Sequence, residues 1–125
     1  MKIARIDHIV LTVRDIDATV AFYTRALGME ARTFAGGRTA LHFGRHKINL
    51  HPHPSPIEPK AAQPTPGSAD LCFVADDPLC RVIEHLEAFG VAIEEGPKTT
   101  SGAQGPMTSV YFRDPDGNLI EISAY

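Results

Sequence analysis

The chain has 125 residues, of which 43% are hydrophobic and 22% charged, as expected for one small globular domain spanning residues 1–125. Its net charge is -3 and its Lys and Arg residues form no basic stripe, which argues against nucleic-acid binding. No apolar run approaches the roughly 18 residues that a membrane span needs. Two cysteines are too few for a disulfide framework, so the composition predicts a cytoplasmic protein.

The N-terminal half shows a pattern of one strand, one helix and three strands. Residues 4–13 alternate between apolar and polar, and charges interrupt the apolar stretch, which predicts a strand rather than a signal peptide. Asp15 or Asp17 is placed to cap the helix, which is predicted to end at Gly28. A Gly-Gly hairpin signal separates two of the three short strands that follow. These strands are predicted near residues 30–35, 38–44 and 47–51.

The C-terminal half repeats this order. The segment HIVLTVRDIDATVAFYTRALG at 8–28 aligns without a gap with DLCFVADDPLCRVIEHLEAFG at 70–90, so that His8 falls on Asp70 and Gly28 on Gly90. The second copy therefore predicts the same elements, with a DPDG turn before its last strand. Their ranges are a strand at 69–76, a helix at 78–89 and strands near 91–95, 107–113 and 118–124.

Two segments between these elements are rich in proline or glycine. The proline-rich stretch 53–67 is predicted to be a semi-rigid linker between module one, about 1–52, and module two, about 68–125, because proline cannot donate a sheet hydrogen bond. The sequence GPKTTSGAQGP at 96–106 is predicted to be a polar loop. Both segments are long enough to cover a functional site.

Strand alternation assigns the side chains of each predicted sheet to two faces. One face is apolar and is expected to take the helices. The opposite face gathers polar side chains from four strands: His8, Asn49, His51, Asp70 and Glu121. Because buried carboxylates are costly unless they are paired or bound to a cation, this polar face is the candidate site.

Three stretches resemble the vicinal oxygen chelate superfamily, which includes glyoxalase I, extradiol dioxygenases, and fosfomycin- and bleomycin-resistance proteins. They are IDHIVLTVRDIDATVAFYTRALGM at 6–29, SADLCFVADD at 68–77 and YFRDPDGNLIEI at 111–122. A narrower similarity to glyoxalase-domain-containing proteins, including virulence proteins, is carried by residues 57–73. The resemblance implies an α+β fold of two βαβββ modules, which form a half-open barrel around a divalent metal with the helices on the outer face.

By the same resemblance, the metal ligands lie on the first, fourth, fifth and eighth strands. The matching residues are His8, Asp70 and Glu121, with either Asn49 or His51 on the fourth strand. The family usually has His at the position of Asp70, and neither the glyoxalase I set nor the dioxygenase set is reproduced here. A set of one His and two carboxylates, with His51 as a fourth ligand, suits Mn, Fe, Ni, Zn or Mg.

Other polar residues are assigned by their positions in the predicted strands. His42, Tyr111 and Ser109 share the polar face and, with Asn49, are candidates for contacting substrate. The sequence HKINLHPHP at 46–54 is interpreted as the fourth strand running into the linker, with His46 in a hairpin and His53 in the linker. Cys72 is interpreted as a small buried residue rather than a nucleophile.

The leading functional hypothesis is a metal-dependent enzyme of glyoxalase or lyase type, acting on a small substrate with vicinal oxygens. A metal would stabilise a developing oxyanion as a Lewis acid, and Glu121 would move a proton between substrate carbons. The alternatives are an extradiol-type dioxygenase and a metal-free binding protein of the drug-resistance kind. The resemblance also implies a homodimer, with the site formed within one chain or across two.

Overall fold

The computed structural model describes residues 1–54 and 56–125. The chain divides into two compact units, unit 1 at Met1–Pro66 and unit 2 at Gly67–Tyr125. Each unit contains one four-stranded sheet and one helix, in the order strand, helix and three strands. The predicted α+β fold with two βαβββ modules is therefore confirmed. No helix in the described part of the chain is long and apolar enough to cross a membrane.

Unit 1 pairs its first strand with its last. The elements are His8–Val13 (β1), Ile16–Leu27 (α1), Glu30–Phe34 (β2), Arg38–Phe43 (β3) and His46–Pro52 (β4). The strand order is β1-β4-β3-β2, in which β1 and β4 run parallel and the other neighbours antiparallel. The strand predicted at 4–13 is too long, because pairing with β4 begins only at His8 and residues 1–7 have no regular secondary structure.

The ends of α1 follow the predicted capping residues. Of the two candidates, Asp15 is the N-cap, and its side chain accepts a hydrogen bond from the Ala18 N–H at 3.0 Å. Gly28 ends the helix with a φ of 64°, a left-handed conformation that glycine adopts without strain. The helix buries Thr19 and Tyr23, and it packs against β2, β3 and β4.

Unit 2 repeats the same connectivity. Its elements are Asp70–Val74 (β5), Leu79–Ala88 (α2), Glu95–Gly102 (β6), Gly105–Arg113 (β7) and Leu119–Ala124 (β8). The strand order is β5-β8-β7-β6, so β8 is an interior strand with β5 parallel to it and β7 antiparallel. Helix α2 packs against β7 and β8, and the core of the unit includes the fully buried Leu86, Phe112 and Ile120.

The polar loop predicted at 96–106 is wrong, because these residues form most of a β-hairpin made by β6 and β7. The register of the pair shifts between Glu95 and Lys98, around Pro97. An edge strand such as β6 tolerates a proline and a register shift, because only one of its sides is paired. Its adjacent threonines favour a strand, and the proline and glycine content of the segment concealed that signal.

The turn that leads into β8 is held by two buried polar side chains, Asp114 and Asn118. Asp114 Oδ1 accepts hydrogen bonds from the backbone N–H groups of Asp116 and Asn118, both at 2.9 Å. Asp114 Oδ2 accepts from Asn118 Nδ2 at 2.7 Å. Asn118 Oδ1 in turn accepts from the Ala69 N–H at 2.9 Å, so the turn is tied to the residue that precedes β5.

Candidate functional site

The polar sheet face of unit 2 is centred on Glu121, which is half-buried on β8. The strand register places Cys72 of β5 and Tyr111 of β7 beside it on the two flanking strands. The hydroxyls of Ser123 and Thr100 lie 3.2 and 3.4 Å from Glu121 Oε1. Glu121 is therefore a carboxylate lined by hydroxyl groups rather than a solvated residue at a strand end.

The hydroxyl groups beside this carboxylate belong to a hydrogen-bonded chain. Ser109 Oγ lies 2.7 Å from Ser123 Oγ and 2.6 Å from Thr100 Oγ1, and both serines are fully buried. Cys72 Sγ lies 3.2 Å from Ser123 Oγ at the other end of the chain. Cys72 is exposed, so its assignment as a small buried residue is wrong: it lies on the polar face and not among the core side chains. Desolvation raises the pKa of its thiol, which does not favour a nucleophile.

The pKa of Glu121 lies below its ordinary value of 4.5. Partial burial raises this pKa, but hydrogen bonds from Ser109, Tyr111, Ser123 and Cys72 together lower it by more. Burial and the hydrogen bond with Glu121 raise the pKa of Tyr111, which therefore keeps its proton at neutral pH. Glu121 is thus ionised at neutral pH. This state favours binding of a cation over moving a proton, because a carboxylate of low pKa is a weak base.

His8 and Asp70 lie at the starts of β1 and β5, and both are exposed. His8 Nδ1 is 2.8 Å from Asp7 Oδ1. Because an ionised carboxylate only accepts hydrogen bonds, Nδ1 carries the proton and Nε2 of the neutral ring has a lone pair. A carboxylate that orients a histidine in this way is the common arrangement at protein metal sites.

The polar face of unit 1 holds a cluster on β3 and β4, made of Arg38, Asn49 and His51. Asn49 and His51 are 5% and 2% exposed, and the register places them beside Val10 and Thr12 of β1. Arg38 Nη2 lies 3.4 Å from His51 Nε2. A guanidinium group only donates hydrogen bonds, so Nε2 accepts and Nδ1 carries the proton.

Three buried atoms of this cluster have no hydrogen-bond partner among residues 1–54 and 56–125. They are Arg38 Nε, Asn49 Oδ1 and His51 Nδ1. Buried polar atoms are paired in most proteins, so these three neighbouring atoms are available for a hydrogen bond with water or with a polar ligand. Metal binding by His51 requires loss of its bond to Arg38. Its role as a fourth ligand stays a prediction.

The other predicted contacts lie on the expected faces. Tyr111 and Ser109 share the face of Glu121, as the alternation predicted. His42 is half-buried on β3, opposite Lys47, and its Nδ1 is 3.5 Å from Arg32 Nη1. His46 is the first residue of β4 and lies in the β3–β4 hairpin, as predicted.

The four predicted metal ligands are divided between the units, with His8 and His51 in unit 1 and Asp70 and Glu121 in unit 2. Within the described residues, no three His, Cys, Asp or Glu side chains form a group that could hold a metal ion. Sequence reasoning also missed several polar partners. Arg38 could have been found from its position opposite His51 across the hairpin, whereas Thr100 was hidden in the segment predicted as a loop.

Because of His51, we expect the free energy of unfolding to decrease as the pH falls below 6.5, the ordinary pKa of this side chain. Burial, and then the positive charge of Arg38, lower the pKa of His51 in the folded state. The unfolded chain therefore binds the proton first, and the contribution of neutral His51 is complete above pH 6.5 and lost as pH falls through the folded pKa. Urea unfolding between about pH 5 and 8 should show this decline in the wild type and a weaker one in His51→Gln.

The exposed His53 provides the matched control for this experiment. His53→Gln should keep the pH dependence of the wild type, because this change leaves the buried ring of His51 in place. Equal pH profiles for the wild type and His51→Gln would show that burial of this ring does not govern the decline.

Comparison with known proteins identifies the family of the chain. Virulence protein STM3117 of Salmonella typhimurium is 54% identical over all of this chain and 87% of its own length. The crystal structure of that protein superposes with a TM-score of 0.98, covering 100% of this chain and 99% of that one. Glyoxalase domain-containing protein RDO1 of Mycosarcoma maydis is 50% identical over 100% of this chain and 70% of its own length. A lactoylglutathione lyase structure from Agrobacterium tumefaciens is 26% identical, with a TM-score of 0.75 over 98% of this chain and 95% of that one. A family model described as Glyoxalase/Bleomycin resistance protein/Dioxygenase superfamily matches residues 5–122, and the chain belongs to this superfamily.

Proposed function

We propose that the protein is a divalent-metal-dependent enzyme of the glyoxalase or lyase type, acting on a small substrate with two adjacent oxygens. The observation that carries the proposal is the setting of Glu121, an ionised carboxylate on an interior strand with hydroxyl groups beside its Oε1. The similarity to a lactoylglutathione lyase supports a reaction of this type.

The proposed metal ligands are His8, Asp70 and Glu121. His8 fits the role because its hydrogen bond to Asp7 leaves the Nε2 lone pair available, and Glu121 fits because it is ionised. One imidazole and two carboxylates suit Mn, Fe, Ni, Zn or Mg. A bound metal would supply Lewis-acid stabilisation of a substrate oxyanion. His51 is left out of this proposed set, because Arg38 occupies its Nε2.

Residues around Glu121 have supporting roles in this proposal. Ser109, Ser123 and Thr100 orient the carboxylate through their hydroxyl chain. Tyr111 keeps its proton and is a proposed hydrogen-bond donor to substrate. A proton-transfer role for Glu121 is less favoured than metal binding, because its lowered pKa makes it a weak base. We also propose a homodimer, which sedimentation analysis would test.

The test is a metal-replacement series on the purified protein. Chelator-treated protein is reloaded separately with Mn, Fe, Ni, Zn or Mg and assayed with the hemithioacetal of methylglyoxal and glutathione, and with catechol. Isomerisation without oxygen uptake would support the lyase, whereas oxygen uptake with catechol would replace it by an extradiol dioxygenase. If no metal form turns over either substrate and no metal is retained, the enzyme proposal fails in favour of a metal-free binding protein.

A further inference from the structure

We propose that Arg38, Asn49 and His51 of unit 1 form a binding site for a small carboxylate that carries a hydroxyl group on the adjacent carbon. This site lies within one sheet face and requires no metal. It therefore goes beyond the proposed function, and either proposal can fail without the other.

The unpaired atoms define which groups a ligand must offer. Arg38 Nε and His51 Nδ1 are N–H donors, and each needs an acceptor oxygen. Asn49 Oδ1 is an acceptor and needs an O–H or N–H donor. A carboxylate provides the two acceptor oxygens, and a neighbouring hydroxyl provides the donor.

The charges of the surrounding side chains favour an anionic ligand over a neutral one at this cluster. Among the described residues, the Arg38 guanidinium has no carboxylate partner, and its only hydrogen bond is to His51 Nε2. Arg38 and Lys47 both lie over the ring of Phe34, at 4.9 and 4.2 Å from its centroid, so two cations share one ring. Two carboxylates of unit 1 are already paired with other groups, Glu30 with Arg32 and Asp7 with His8. A bound carboxylate would neutralise a half-buried charge that the protein leaves uncompensated.

The strand geometry favours a ligand of a few atoms. Arg38 lies across the β3–β4 ladder from His51, and Asn49 lies two residues before His51 on the same face. Two residues of a strand span about 7 Å, so hydrogen bonds from both ends leave room for a ligand the size of a hydroxycarboxylate. The guanidinium plane is held by its contact with the Phe34 ring, which lowers the cost of ordering Arg38 on binding.

The test measures binding of glycolate, acetate and inorganic phosphate to the chelator-treated protein by NMR titration of backbone amides. Glycolate should bind the wild type more tightly than acetate, because only glycolate has a hydroxyl for Asn49 Oδ1. Arg38→Lys keeps the positive charge but lacks Nε–H, and it should weaken glycolate binding by about tenfold or more. The matched control is Arg32→Lys, which alters an exposed arginine of the same face and should bind as the wild type does.

Asn49→Ala provides a second, independent variant. It should remove the preference for glycolate over acetate, while acetate still binds. If Arg38→Lys does not fold, this variant alone tests the proposed site. The proposal is overturned if none of the three anions binds the wild type saturably, which would mean that buried water satisfies the cluster. It is also overturned if phosphate binds more tightly than glycolate with no effect of Asn49→Ala. Metal uptake by Arg38→Lys should equal that of the wild type, which separates this test from the metal proposal.

Discussion

Replacement of Glu121 by Gln is expected to lower the affinity for divalent metal by at least about 100-fold. The change removes the negative charge of a proposed ligand and keeps its size, whereas loss of a group that only orients a ligand costs about 10–100-fold. The amide can still accept from Ser123 and Thr100 at one oxygen, so the fold of unit 2 should persist. Equilibrium dialysis followed by elemental analysis measures the effect, and turnover should fall in parallel if the proposed reaction is correct.

Two further variants make this result specific. Glu84→Gln removes a carboxylate from the exposed face of α2 and should leave metal affinity unchanged. Ser123→Ala removes one hydroxyl from Glu121 Oε1 and is expected to weaken metal binding by roughly tenfold, because it disturbs orientation without removing a ligand. Full metal affinity in a folded Glu121→Gln protein would show that Glu121 is not a ligand.

The second large effect concerns Asp114, whose replacement by Ala is expected to reduce the free energy of unfolding by about 3 kcal/mol. The change leaves the backbone N–H groups of Asp116 and Asn118 and the Asn118 amide without their acceptor. Asn118 is 2% exposed, so water cannot readily replace the lost carboxylate. Urea unfolding measures the loss.

An exposed aspartate provides the comparison for Asp114. Asp77→Ala removes a carboxylate from the segment before α2 and should change stability by no more than about 0.5 kcal/mol. If Asp114→Ala and Asp77→Ala unfold at the same urea concentration, the hydrogen bonds of the turn do not stabilise the fold. The DPDGN sequence would then need another explanation.

The fold was predictable because several local signals agree with one another. The gapless repeat, the Asp15 cap and the left-handed Gly28 each point to the same order of elements, and strand alternation placed Glu121, Tyr111 and Ser109 on one face. The prediction that was wrong concerned the segment that forms β6. Local composition there favours a loop, whereas pairing with β7 over many residues outweighs that preference.

The candidate site was less predictable, because side-chain contacts depend on partners from separate strands. Alternation identified the face of His51 but not that Arg38 would occupy its Nε2. Cys72 was interpreted as a buried residue, whereas the strand register places it beside Glu121 with an exposed side chain. The hydrogen bond from His8 to its neighbour Asp7 involves adjacent residues, yet a sequence does not reveal which rotamers bring the two side chains together.

The parallel pairing of β5 with β8 has a consequence for the order of folding. The hairpin of β6 and β7 joins residues that are close in sequence, whereas the β5–β8 ladder joins Asp70 to Leu119 and must await a long loop closure. Glu121 is on the strand that completes this ladder, so we expect it to gain Cys72 as a neighbour late in sheet assembly. A folding intermediate that has only its hairpins would thus lack the β5–β8 pairing that completes the Glu121 cluster.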